Sequence, residues 1–311
     1  MPKETYQDIW VKGKLVRDGK RDCENRYELI RTFCEQYTRP FTILDIGAWS
    51  CYFPIRLTED FPDCTAVAAE FTSAPTESLQ LNEPERVLWL KRELVVKDLD
   101  WLAAIEHFDV VLALSVVHQM RIGLTQSEIV ERLKKLGDHL ILELAVEPRS
   151  SEGIDLPQIP DEAFFGWGQK QLKRPDERRP MYLLSQPGAR KERKHHLFEI
   201  ESDFSSKIVT KRRHVINDIV ERRPWLRGIS LRTFLDLNGR WPRPGQIAEK
   251  VRSVYDPHRT HGDINVVNTI FSGDRATFID ARAPEDILPG QPPDHESLDR
   301  MLQAIKRSSA T

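Results

Sequence analysis

Three residues near the start of the chain have the types and spacing for ligand chemistry. Asp45 and Gly47 close the apolar run FTILDIG at 41–47, and Glu70 lies at the end of the next one, TAVAAEF at 65–71. A glycine directly after a strand lets the backbone approach a ligand closely. A carboxylate at the end of the second strand of a strand–helix–strand unit accepts both hydroxyls of a ribose. NAD enzymes use a carboxylate in the same way, so Glu70 alone does not name the ligand. The loop narrows the choice. Asp45-Ile-Gly47-Ala48-Trp49-Ser50-Cys51 carries a single glycine, whereas a pyrophosphate needs a glycine-rich approach to a helix N-terminus. Bulky Trp49 disfavours that ligand.

The elements that must position these residues alternate along the first half. Residues 24–37 have helical apolar spacing, and 41–47 is an apolar run without alternation, as in a parallel strand covered on both faces. A helix follows from 51, starting close to Pro54, because proline fits only in a first turn. Strands are expected at 65–71, 86–94, 108 to about 115 and 139–146, with a helix at 98–106. A further helix at 125–137 has a capping box, Thr125 with Glu128, and Gly137 as its stop. This βαβ alternation predicts a doubly wound, mostly parallel α/β sheet whose ligands bind outside the carboxyl ends of the strands. After Glu147 a polar, proline-containing linker is expected over 148–162. Residues 163–215 are aromatic, basic and broken by prolines; 182–185, 197–202 and 207–213 are candidate antiparallel strands. Helices are expected at 229–237 and 244–255. INVVNTIF and ATFIDA then form a short β pair.

The first loop resembles motif I of class I S-adenosylmethionine-dependent methyltransferases, often D/E-x-G-x-G-x-G, with Trp49 and Cys51 in place of the later glycines. HFDVVLALSVVHQM at 107–120 resembles motif IV of small-molecule methyltransferases. The resemblance covers roughly 20–147 and implies a Rossmann-like domain binding S-adenosylmethionine. It implies that Asp45 reaches the donor's amino group, that Gly47, Ala48 and Trp49 line the donor and that Glu70 holds its ribose. It sets Ser115 beside the transferred methyl, with His118 orienting the acceptor, acting as a base or serving structurally. Tyr27 is the candidate for closing over the methionine end. Glu93 and Asp98 are both open as the adenine contact.

A second constellation follows in HGDINVVNTIFSGDRATFIDAR at 261–282. His261-Gly-Asp263 precedes Asn268 at the H-x-D-x-x-x-x-N spacing, and Asp280 comes twelve residues later. This resembles the aminoglycoside phosphotransferase and lipopolysaccharide kinase families over about 220–285, with Ala-Arg where Phe-Gly usually follows the second Asp. The resemblance implies that Asp263 orients or deprotonates an acceptor hydroxyl and that Asn268 and Asp280 hold Mg²⁺ on the phosphates of ATP. Lys207 and Lys211 are the candidates for the phosphate-contacting lysine. No clear glycine-rich loop precedes them, so a truncated, degenerate or acceptor-binding module stays open. The domains expected are a methyltransferase at 1–147, a linker at 148–162 and a small α+β kinase-like domain, whole or truncated, at 163–311. That order resembles the bacterial O-antigen chain terminators, which implies a glycan, sugar phosphate or other small acceptor.

Composition sets the outer limits. The 311 residues are 40% hydrophobic and 30% charged, as in a soluble globular protein. No apolar run approaches a membrane span, and no apolar leader opens the sequence, so a cytoplasmic location is expected. Net charge is -6 over residues 1–150 and +4 over 151–311, a balance that argues against general nucleic-acid binding. The basic stretch Lys170–Arg213 reads as a solvated surface or, more sharply, as a phosphate-binding one. Cys23, Cys34, Cys51 and Cys64 form no CxxC pair and read as buried thiols rather than zinc ligands. A kinase with a nucleotide-binding first half and a non-catalytic binding protein with inherited folds are the rival functions. Homo-oligomerisation is open.

Overall fold

The computed structural model describes residues 5–21, 23–120, 122–144, 158–170, 178–185, 228–241, 243–272, 275–278, 287 and 289–308. An N-terminal hairpin of β1 (Ile9–Val11) and β2 (Lys14–Arg17) precedes a central eight-stranded sheet. Strands β3 (Phe41–Ile46), β4 (Cys64–Ala69), β5 (Val87–Leu90), β6 (Phe108–Leu114) and β7 (Gly137–Glu143) are mutually parallel in the order β5-β4-β3-β6-β7. The order reverses at β3/β6, the switch point at which open sheets of this kind bind ligands. Helices α1 (Glu24–Cys34), α2 (Tyr52–Asp60), α3 (Pro75–Asn82), α4 (Val96–Ile105) and α5 (Gln126–Lys134) connect or flank the strands. All residues of β3, β4, β5 and β6 are buried, as the missing alternation requires. Two apolar clusters result, one on each face. Ile43, Ala66 and Leu112 belong to one, and Leu44, Val67 and Val111 to the other.

The far ends of β3 and β6 are locked by Asp109. Its carboxylate accepts from Thr42 N at 2.8 Å and from both terminal nitrogens of Arg39 at 3.1 Å. The Phe-Asp that opens motif IV is therefore a strap at the amino end of the sheet, away from the ligand crevice. Thr125 and Glu128 form the expected capping box on α5. Gly137, expected as the stop of that helix, is instead the first residue of β7, and α5 ends at Lys134. A Cβ at Gly137 would lie 2.6 Å from Phe108 O. Its smallness thus serves close strand approach and not a left-handed cap.

The sheet does not stop near the linker expected at 148–162. β8 (Phe164–Lys170) and β9 (Arg178–Ser185) form a hairpin on the β7 edge, with β9 antiparallel to both β7 and β8. The hairpin gives the open ladder of β7 a partner. The 182–185 strand is therefore found, but in the first sheet. The 197–202 and 207–213 segments lie outside the described residues. On the opposite edge, β11 (Gly239–Arg240) pairs antiparallel with β5.

Later residues build a small sheet, β10 (Ile229–Ser230), β12 (Thr269–Ser272) and β13 (Arg275–Phe278), with β12 in the middle. The expected pairing of INVVNTIF with ATFIDA is β12 with β13. Helices α6 (Leu231–Asp236), α7 (Pro244–Ser253) and α8 (Asp294–Lys306) pack around it. The helix expected from 229 begins two residues later, because Ile229 and Ser230 pair with β12 and Ser230 caps α6. Among the described residues this part shares its core with the first. Phe234, Trp241, Ile247 and Met301 share one cluster with Leu88, Leu90, Leu99 and Leu102.

A buried carboxylate joins the two parts. Glu106, 3% exposed at the end of α4, accepts from Ser230 N at 3.0 Å and Thr233 Oγ1 at 2.6 Å. Arg243 pairs with Glu83, and Lys250 with Glu85, at the surface of the same junction. Replacing Glu106 by Ala leaves two buried donors without that partner. It should lower stability by about 1–3 kcal/mol, read as a shifted urea midpoint, whereas Glu85→Ala should change it by less than about 1 kcal/mol.

Candidate functional site

The residues singled out in the first half converge at the carboxyl end of the sheet. Asp45 ends β3 one residue before its last, and the chain then turns through Gly47 at φ 73°, Trp49 at φ 48° and Cys51 at φ 61°. All three positions that hold glycine in the motif are thus left-handed here, although two carry side chains. Gly47 has no alternative: a Cβ there would lie 2.6 Å from Val116 Cγ2. Trp49 and Cys51 hold a conformation that costs an ordinary residue about 1–2 kcal/mol. The turn is held by its surroundings. Gly47 N donates to Ala69 O at 2.9 Å, Trp49 N to Glu70 Oε2 at 3.2 Å, and Ser50 N and Oγ to Gln7 Oε1 at 3.2 and 3.0 Å. Tyr6 packs on Trp49 with ring centroids 5.2 Å apart. This N-terminal segment lies over the loop, a placement that no local pattern announced.

Glu70, 6% exposed, also takes Thr72 N on Oε1 at 2.8 Å. Each oxygen keeps a further lone pair for a ligand hydroxyl. Phe71, 60% exposed, stands beside it. Trp89 Nε1 donates to Glu70 O at 2.8 Å and fixes the strand end from β5. Asp98 is not placed as a ligand contact: its carboxylate accepts from Val95 N and Arg92 Nε at the start of α4. Glu93 is exposed.

Asp45 is 2% exposed, and its Oδ2 has no hydrogen-bond partner. Burial pushes its pKa up to about 7; Arg26 opposes the shift and Glu70 adds to it. A buried acceptor in that state fits a cationic hydrogen-bond donor and rejects an anion.

Tyr27 is not in the site. It is fully buried, donates to Asp60 at the far end of α2, and Arg56 lies 3.6 Å over its ring. The preceding residue, Arg26, is buried instead beside Glu143. Its Nη1 contacts Glu143 Oε2 at 3.4 Å, both side chains being at most 3% exposed. Ser115, left-handed at φ 56°, donates its hydroxyl to the same Glu143 oxygen and its N–H to Glu143 O at 3.0 Å. Gln169 on β8 completes the cluster, with Nε2 on Ser115 Oγ at 2.8 Å and N on Glu143 Oε1 at 2.7 Å. Arg26, Glu143 and Gln169 escaped the sequence reading, since polar residues inside apolar runs were the only signal. His118 lies in a short 3-10 turn, Val117–Gln119, directly after this cluster.

The second constellation forms an ordered loop between α7 and β12. Asn268 is 2% exposed and donates Nδ2 to Asp263 O at 3.1 Å; among the described residues its Oδ1 takes no hydrogen bond. Asn265 bridges Asp263 Oδ1 at 3.0 Å to the amides of Val267 and Asn268. Asp294, at the start of α8, accepts from His261 N at 2.7 Å and Gly262 N at 3.0 Å. Asp294 also escaped the sequence reading, because only the fold brings it beside the loop. Lys207, Lys211 and Asp280 lie outside the described residues. No set of three or more metal-ligating side chains occurs among the described residues.

No protein-family model matches the sequence, and no curated protein does. Among solved structures the chain is similar to the bifunctional kinase-methyltransferase WbdD, at 18% identity over 99% of this chain and 93% of that one, with a TM-score of 0.46. It is similar to the N-terminal domain of EvdMO1, solved with SAH and D-fucose, at 16% identity over 58% and 76% with a TM-score of 0.38. It is also similar to the putative methyltransferase yhhF of Escherichia coli, at 13% identity over 59% and 98% with a TM-score of 0.36. The sheet order and switch-point crevice are themselves consistent with a Rossmann-like methyltransferase fold.

The buried state of Asp45 makes a stability prediction with a definite sign. Its folded pKa lies above the ordinary carboxylate value, so ionising it opposes folding; the cost grows from about pH 4 and is complete above about pH 7. Asp45→Asn should therefore be more stable than wild type at pH 8, by on the order of 4 kcal/mol, and should gain less than half of that at pH 5. Urea unfolding at the two pH values checks it.

Proposed function

We propose that the protein is an S-adenosylmethionine-dependent methyltransferase that acts on a glycan, sugar phosphate or other small acceptor. The observation that carries the reading is the buried, unpartnered Asp45 carboxylate beside the left-handed 47–51 turn, at the switch point of the sheet. A sulfonium donor with an amino-acid tail presents an ammonium to such an acceptor and has no phosphate to be repelled by Asp45 and Glu70. In this reading Glu70 takes the ribose hydroxyls, and Gly47, Ala48 and Trp49 form the floor under the donor. The donor supplies a methyl whose bond to sulfur breaks with its electron pair left on sulfur, while an acceptor oxygen lone pair forms the new bond. A hydroxyl acceptor also sheds a proton, for which His118 stands past the end of β6; a phosphate oxygen needs no base. The chain otherwise contributes in-line positioning and exclusion of water.

The later part is read as kinase-like, and the order of the two parts supports a relationship to the O-antigen chain terminators. The ordered 261–268 loop before the β12–β13 hairpin favours this reading: Asp263 would orient an acceptor hydroxyl, and Asn268 with Asp280 would hold Mg²⁺. The described residues fit as far as they go, since Asn268 keeps its carbonyl for a cation. The methyl-transfer part then covers residues to 147 together with the 164–185 hairpin, and the kinase-like part the remainder. It phosphorylates the acceptor or helps hold it. No described helix is long and apolar enough to cross a membrane.

Isothermal titration of the folded protein with S-adenosylhomocysteine tests the main reading. Binding is expected, and Asp45→Ala should weaken it at least tenfold. Because the ammonium needs ionised Asp45, affinity should rise with pH and be about tenfold weaker at pH 6 than at pH 8. Absence of binding by folded wild type would sink the methyltransferase reading and leave a kinase or a non-catalytic binding protein. In a separate titration with ATP–Mg²⁺, Asp280→Ala should abolish metal-dependent binding; unchanged affinity would remove the kinase-like assignment.

A further inference from the structure

The cluster around Glu143 has a fixed direction of donation. An ionised carboxylate only accepts hydrogen bonds. Glu143 Oε1 takes Gln169 N, and Oε2 takes Arg26 Nη1 and the Ser115 hydroxyl. The Ser115 proton is thereby committed, and only an Oγ lone pair is left for Gln169. The amide must then turn its NH₂ to Ser115, as it does at 2.8 Å. Its Oε1 is left facing away from the cluster, fully buried and without a partner. Flipping the amide would set Oε1 against Ser115 Oγ, which has no second proton to give. The orphan is built in.

The backbone of β8 is shaped to hold that amide in place. A Cβ at Gly168 would overlap Glu143 Oε1, and a Cβ at Gly166 would lie 2.8 Å from Leu29 Cδ1. Glycines on both sides of Trp167 let the strand press against Glu143 and α1. Two buried acceptors then stand unpartnered at the carboxyl end of the sheet, Asp45 Oδ2 and Gln169 Oε1. Arg26 links their surroundings: it contacts Glu143 and is the opposing charge that acts on Asp45. A buried acceptor left without a donor is costly, and a ligand donor would recover that cost.

From this arrangement we infer that Gln169 is a ligand-contacting residue whose Oε1 accepts a hydrogen bond from the α-ammonium of the methyl donor's amino-acid end. This rests on the methyltransferase reading. An ammonium carries three N–H groups and needs more acceptors than Asp45 alone supplies. A trapped water is the competing occupant. The two differ in what happens when the amide is removed.

The test uses the full chain and two probes. S-adenosylhomocysteine has the ammonium; 5′-methylthioadenosine keeps the nucleoside and thioether but lacks the amino-acid end. Gln169→Met is close in volume and removes the amide acceptor. It should weaken S-adenosylhomocysteine at least tenfold by titration calorimetry and leave 5′-methylthioadenosine within twofold of wild type. Equal S-adenosylhomocysteine affinity in the folded variant would overturn the inference in favour of a water. Equal weakening of both probes would overturn it in favour of a packing role. If the Met variant does not fold, Gln169→Asn, which keeps the amide but retracts it, decides by the same comparison. Failure of wild type to bind either probe would defeat the underlying reading together with this inference, a result distinct from binding that ignores position 169.

Discussion

The ion pair between Arg26 and Glu143 is the contact on which the carboxyl end of the sheet depends. Both side chains are almost fully buried, and a buried charge is tolerable only when paired and hydrogen-bonded. Every neighbour is arranged to meet that demand. Ser115 leaves β6 in a left-handed conformation and aims its hydroxyl at Glu143, Gln169 supplies a backbone N–H, and Gly168 keeps the strand close enough for it to arrive. One carboxylate thus ties together α1, β6, β7 and β8, four elements drawn from residues 24 to 170.

The same end of the sheet holds the 47–51 turn under constraint. Gly47 lies against Val116 in the turn after Ser115, so the β3 loop and the β6 loop pack directly on each other. Trp49 and Cys51 keep glycine-like backbone angles because Glu70, Gln7 and Ala69 hold the surrounding amides. Non-glycine residues in such angles persist only where their surroundings over-determine them, and they cluster at functional sites. The missing glycines of the loop therefore changed its side chains and left its path intact.

The later part leans on the first at several points and contributes to its core. Phe234, Trp241 and Met301 share a cluster with the β5 and α4 leucines, β11 extends the sheet beyond β5, and Glu106 anchors the start of α6. Trp89 and Leu90 pair with β11 and also bond the backbone of Glu70. A short hydrogen-bonded path thus connects the Glu70 backbone to the later part. A composition break in the sequence marks a change of texture, and it did not mark a break in packing.

The sequence by itself determined what is local. The apolar runs defined the parallel strands, Thr125 and Glu128 the start of α5, and the spacing of Asp45, Gly47, Glu70 and Ser115 one end of one sheet, because strand–helix alternation fixes which residues follow strand ends. The spacing of His261, Asp263 and Asn268 likewise gave a single ordered loop. Only the tertiary structure decided the rest. Tyr27 and Arg26 are adjacent in sequence and both buried, yet one pairs with Asp60 and the other with Glu143, a difference of about 100° around α1 that periodicity alone does not orient. Gly137 looked like a helix stop and is a strand contact. Gln169, Asp294 and the 5–21 segment gain their roles from partners tens of residues away in sequence, and no spacing rule reaches across that distance. Burial then set the chemistry of Asp45, since the same carboxylate in water would be ionised and partnered.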